Sequence, residues 1–110
     1  MEFTTKSFRR VAVVSVSGRI DTSTSSELET KLQDLMDEGQ KNIILDFSSV
    51  EFLSSSGLRV LVTTRKKIRN SGGDIVLANA SQRATDSFEI AGLDKLFKSY
   101  PDREAAIGAF

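Results

Sequence analysis

The segment Ile43-Ile44-Leu45-Asp46-Phe47 is a nearly unbroken apolar run, with no alternate face to give to water. Such a run suits a central strand covered on both faces. The rest of the chain supplies neighbours for it in alternation. Residues 11–16 (VAVVSV) are rich in β-branched side chains and are closely followed by Gly18, which reads as another strand. Residues 3–8 read as a short pairing strand before it, with Arg9-Arg10 as the hairpin turn. Leu28, Leu32, Leu35 and Met36 recur on one face of a helix, Thr24 and Glu27 have the spacing of a capping box, and Gly39 is placed to end it.

Beyond the central run, Phe52-Leu53 leads through a short connection and a serine cluster into a second helix. That helix carries Leu58, Leu61, Val62 and Ile68 inward and stops at Gly72-Gly73. Ile75-Val76-Leu77-Ala78 reads as a strand, Ser81 as the cap of a helix carrying Ala84, Phe88 and Ala91, and Leu96-Phe97 as a last short strand. Asp102 opens a terminal helix running through Ala105 and Ala106 to Ile107. Phe47, Phe52, Phe88 and Phe97 sit at apolar positions and read as core. Strand and helix in alternation imply parallel strands joined by right-handed crossovers. The expected architecture is a small mixed α/β sheet with an N-terminal antiparallel hairpin and helices packed on it. Its 110 residues fit one domain, 1–110.

Composition removes several kinds of chemistry. Cys and His are both absent, which excludes thiolate metal sites, cysteine nucleophiles and a histidine-based triad. The spacing of the carboxylates resembles no calcium loop, and no metal or cofactor is expected. No phosphate loop or dinucleotide glycine fingerprint occurs. Fifteen basic residues balance fifteen acidic ones, so no long-range field draws the chain to nucleic acid or an anionic membrane. The basic run Arg65-Lys66-Lys67-Ile68-Arg69 has the composition to meet nucleic acid or an acidic partner surface, but with no net charge on the chain it reads first as a solvated helix face. The amino terminus lacks a secretory pattern and the apolar runs are too short to cross a bilayer, so the expected setting is cytoplasmic, without membrane insertion. A carboxylate pair such as Asp46 with Asp21 has nothing beside it to position a nucleophile or a water.

The informative segment is DFSSVEFLSSSGLRVL, residues 46–61. A serine at a helix start offers its oxygen to free backbone amides, so on composition alone capping is the first account of Ser54, Ser55 and Ser56. A helix start is also a natural anion site, and Arg59 lies four residues beyond Ser55, within reach of one helical turn.

This segment resembles the signature of STAS domains, especially the bacterial anti-sigma-factor antagonists. Asp46, Ser48 and Val50 match the family's strand end, and Ser54-Ser55-Ser56-Gly57-Leu58 matches its helix start, with Ser54 where Asp is common. Gly18-Arg19-Ile20-Asp21 is similar to the element after the family's second strand. Gly92-Leu93-Asp94-Lys95-Leu96-Phe97 is similar to its late element, so the ordered matches cover nearly the whole chain. The resemblance implies a binding switch and not an enzyme, phosphorylated on Ser55. It implies an anti-sigma factor that is also a serine kinase as partner, and a serine phosphatase that resets the switch. Asp21, Thr22, Ser23, Ser54, Ser56, Gly57 and Arg59 would meet the partner, although Asp21 is equally accounted for as a turn residue. The resemblance leaves a second role open, as a non-phosphorylated subunit of a transport assembly such as a lipid transporter.

Overall fold

In the computed structural model, which describes residues 1–8 and 10–110, the apolar run becomes the middle of a five-stranded sheet. The elements follow in the order β1 (Glu2–Phe8), β2 (Val11–Ile20), α1 (Ser25–Asp37), β3 (Asn42–Leu53), α2 (Ser55–Asn70), β4 (Asp74–Ala78), α3 (Gln82–Ile90), β5 (Ser99–Tyr100) and α4 (Arg103–Gly108). The strands lie in sequence order across the sheet. β1 runs antiparallel to β2, and every later pair is parallel. The expected turn at Arg9-Arg10 falls partly outside the described residues, since Arg9 is not among them.

Both faces of β3 are covered, for the reason its sequence gives. Ile43 and Leu45 join Ala12, Val14, Ile75 and Leu77 on the face under α1, α2 and α3. Ile44 joins Val11, Val13 and Val76 on the other, against Ala106 of α4. Leu28, Leu32 and Leu35 of α1 and Leu58, Leu61 and Ile68 of α2 close the larger core. Phe88 of α3 meets Phe97 edge to face, with ring centroids 5.4 Å apart. Gly39 and Gly72 take positive φ just past the ends of α1 and α2, the conformation that halts a helix.

β3 is longer than its sequence suggests, and two irregularities explain why. Its pairing with β2 shifts between Ser15 and Ser17 and again between Gly18 and Arg19. Each shift inserts an extra residue on β3, which re-aims the side chains beyond it. The inward positions therefore fall at Phe47, Val50 and Leu53, every third residue instead of every second. Ser48, Ser49, Glu51 and Phe52 face out. Phe52, expected in the core, is 39% exposed, while Phe47, Phe88 and Phe97 are buried.

Three further expectations are corrected. No separate connection precedes the serine cluster, because β3 runs to Leu53 and Ser54 is already the cap of α2. The last strand is Ser99–Tyr100, and Leu96-Phe97 lies in the turn before it, where Phe97 is drawn down onto Phe88. The Thr24–Glu27 capping box does not form, because the Thr24 side chain makes no cap bond to α1. Its hydroxyl is held by the Arg19 carbonyl and the Asp21 amide, both at 2.9 Å.

Candidate functional site

β2 and β3 end side by side, Ile20 opposite Leu53, and the Ser54 amide donates to the Ile20 carbonyl at 2.8 Å. The turn after β2 and the start of α2 are thus fixed next to each other at one end of the sheet. This pairing brings together the two groups of residues expected to form the site, Asp21, Thr22 and Ser23 on one side and Ser54, Ser55, Ser56, Gly57 and Arg59 on the other.

The serines divide the work at the helix start. Ser54 is the cap: its extended backbone turns the chain and its Oγ accepts the Gly57 amide at 3.2 Å. Its hydroxyl also lies 2.8 Å from that of Ser56, and both side chains are half-buried. Ser55 is the first helical residue and is exposed. Arg59 is exposed one turn further along α2. Gly57 is buried where no side chain fits. A Cβ there would stand 2.6 Å from Ile20 Cγ2 and 3.0 Å from Leu53 Cδ1, so the missing side chain lets α2 sit directly on the strand ends.

Across from this helix start, Asp21 organises its own turn. Its Oδ1 accepts the Ser23 amide at 3.0 Å, the Ser23 hydroxyl at 2.7 Å and the Thr24 amide at 3.1 Å. The Ser23 hydroxyl bond leads in holding the Asp21 carboxyl below its usual range, with the Thr24 and Ser23 amides acting in the same direction. Thr22 and Ser23 are exposed at the tip.

Sequence reasoning missed two residues beside this site. The Arg19 guanidinium stacks over the Phe52 ring, 4.5 Å from its centroid, and both side chains are exposed. An open groove of about 670 Å³ runs beside them, lined by Arg19, Ser48, Ser49, Glu51, Gln82 and Arg83. The signal lay in the pair Phe52-Leu53: neighbours on a strand face opposite ways, so one of two adjacent apolar residues must point outward.

Asp46, considered with Asp21 as an acid–base pair, belongs elsewhere. It lies opposite Ser15, seven residues before the end of β3, so the two carboxylates are on the order of 20 Å apart along the strands. Asp46 is buried and bonded to the Ser48 amide at 3.0 Å and to Arg103, which also reaches the Ser15 hydroxyl. Burial pushes its pKa up, but the Ser48 amide and the Arg103 guanidinium outweigh burial and leave it lowered. Among the described residues, no group of three or more acidic side chains could hold a metal, and no helix is long and apolar enough to cross a membrane.

Known proteins share the fold. The structure superposes on an anti-sigma factor antagonist from Mycobacterium paratuberculosis with a TM-score of 0.86 and 34% identity, covering 98% of this chain and 92% of that one. It has the same fold as the unphosphorylated form of the Bacillus protein SpoIIAA, with a TM-score of 0.82 at 22% identity over 96% of this chain and 93% of that one. In sequence it is 36% identical over 90 residues to the anti-sigma-F factor antagonist RsfB of Mycobacterium tuberculosis, covering 82% of this chain and 73% of the relative. With the STAS domain model matching residues 2–106, the chain belongs to the STAS domain family.

Proposed function

We propose that this protein is an anti-sigma-factor antagonist whose docking surface is switched by phosphorylation of Ser55. The observation that carries the reading is the exposed Ser55 hydroxyl at the first position of α2, where Ser54 already fills the cap. Ser55 is thereby open to a kinase, and modifying it removes no cap bond. The names of its relatives, anti-sigma-factor antagonists, support an anti-sigma factor as the partner; in this reading that partner is also the serine kinase that modifies Ser55.

The switch works by charge. A phosphoserine adds about 1.5 to 2 negative charges at neutral pH. The free amides and positive end of α2 receive that charge, and Arg59 lies one turn away to reach back toward it. The domain therefore stays folded. A partner packed over the same surface has to bury the dianion, and without matched donors that costs a few kcal/mol, a loss of a hundredfold or more in affinity. Asp21, Thr22, Ser23, Ser54, Ser56 and Arg59 form the partner's footprint, with the Arg19–Phe52 stack as its aromatic edge; Gly57, expected to meet the partner, is buried and instead seats the helix start beneath them. The chain is a substrate and a competitor and performs no catalysis itself. A serine phosphatase returns it to the binding form.

The test is incubation with ATP and the candidate anti-sigma kinases of the same genome. A gain of one phosphoryl mass, absent in Ser55→Ala, is expected. Ser55→Ala should retain the kinase in a pull-down and Ser55→Asp should release it. Equal retention by Ser55→Asp and the unchanged chain would sink the charge argument. Absence of any phosphoryl gain, with a membrane ATPase co-purifying instead, would favour the transport-assembly role.

A further inference from the structure

The basic run on α2 is not a uniformly solvated face. Ile68 is buried in the core and the Lys67 ammonium donates to Gln33 of α1 at 3.3 Å. The remaining cations turn another way. Val62, Arg65, Lys66, Arg69 and Asn70 stand at successive one-turn spacings and form one wall of a groove of about 280 Å³, with Leu96 as the opposite lip. Val62 and Leu96, both half-buried, give it an apolar floor.

Charge in this groove is one-sided. Arg69 is answered by Asp74 at 3.3 Å. Among the described residues, no carboxylate lies within ion-pair distance of Arg65 or Lys66. The Arg65 Nε is cut off from solvent and has no hydrogen-bond acceptor. With Nε shut inside, the terminal Nη groups of Arg65 are what an incoming acceptor can meet. Exposed Lys95 and Lys98 flank the Leu96 lip in sequence, against a single carboxylate at Asp94. In a chain with no net charge, this is a local concentration of positive charge.

We infer that this groove is a docking site for a short acidic segment of a partner protein, in which one aliphatic side chain sits on Val62 and Leu96 between carboxylates that pair with Arg65 and Lys66. An arginine can present its two terminal Nη groups to a carboxylate, and Arg65 has no carboxylate partner among the described residues. The apolar floor selects protein over nucleic acid, since no aromatic side chain lines the groove for a base to stack on. Arg65 lies ten residues along α2 from Ser55, on the order of 15 Å, so one partner here and another at the serine site can be held together. The inference does not rest on the phosphorylation reading.

The test titrates the full chain with a fluorescein-labelled peptide, Asp-Glu-Leu-Glu-Asp, and follows anisotropy and backbone amide shifts. Saturable binding is expected, with shifts confined to residues 62–70 and 94–97. Binding should weaken at least tenfold in Lys66→Glu and in Arg65→Gln, weaken with added salt, and persist unchanged in Ser55→Asp. Lys66→Glu is an exposed change that leaves the fold intact, so its amide spectrum separates lost docking from lost structure. Equal binding of the amidated peptide Asn-Gln-Leu-Gln-Asn would overturn the inference. So would shifts centred on residues 54–59, or tighter binding of a single-stranded oligonucleotide than of the acidic peptide.

Discussion

Ser54 and Ser55 are neighbours of the same chemistry with opposite burdens. Ser54 holds an amide that α2 cannot satisfy internally, and its hydroxyl is tied to Ser56 as well. Removing it in Ser54→Ala should cost about 1 kcal/mol in urea unfolding, the usual worth of a serine cap. Ser55 is exposed and stands outside the cap, so Ser55→Ala should leave the unfolding midpoint within about 0.5 kcal/mol of the unchanged chain. If the two values came out reversed, Ser55 would be the structural serine and the site would have to move. Arg19 and Phe52 make the complementary point. An exposed aromatic held under a guanidinium is rigid and amphipathic, the composition enriched where interfaces gain most of their energy.

Among the elements, what could be read from the sequence was whatever rests on period and on local chemistry. The run at residues 43–47 announces a doubly covered strand, the four-residue spacing of α1 announces its buried face, and Ser54, Ser81 and Asp102 cap the helices where expected. What was not legible depends on pairing. The two register shifts belong to β2 and β3 jointly, and they turn Phe52 outward. Likewise, nothing near Thr24 in the sequence says that the Arg19 carbonyl will claim its hydroxyl. In the site, the serine cluster and the Asp21 turn were both expected from the family resemblance, and what sets them side by side is the parallel alignment of two strand ends. The least legible element was the seat of α4. Six residues are too few for a stable isolated helix, and α4 is held by buried Ala106 and by Arg103 bridging Asp46 and Ser15. Arg103→Ala should strip amide-exchange protection from α4 and cost about 1–3 kcal/mol, short of a fully buried pair because Arg103 is 41% exposed. The sign with pH is fixed by the lowered Asp46 pKa. Its ionised form contributes stability above the ordinary carboxylate range, and that contribution is lost as pH falls through the folded value. The penalty of Arg103→Ala should therefore shrink on acidification, and a penalty constant between neutral and strongly acid pH would rule this ion pair out as its source.

At the scale of the whole molecule, the serine site sits on the core with nothing soft between them. Gly57 touches Ile20 and Leu53, and these two residues end the central strands. A methyl added in Gly57→Ala must displace side chains that are 0% and 4% exposed, so neither has solvent to move into and the start of α2 has to lift. Overpacking of this kind costs about 1–3 kcal/mol. Stability and affinity should then fall together in Gly57→Ala, although every side chain of the footprint is still present. Ser55→Asp should uncouple the two, because its charge is received by the helix end while the docked partner has to bury it. Thermal unfolding and partner binding, measured on both variants, give four numbers of which only one, the melting temperature of Ser55→Asp, should match the unchanged chain. Gly108→Ala supplies the control for adding a methyl to a helix. A Cβ there meets nothing within 4 Å, so neither stability nor affinity should fall. Were Ser55→Asp to melt well below the unchanged chain, the phosphate would act by unfolding α2, and the switch would be conformational instead of electrostatic.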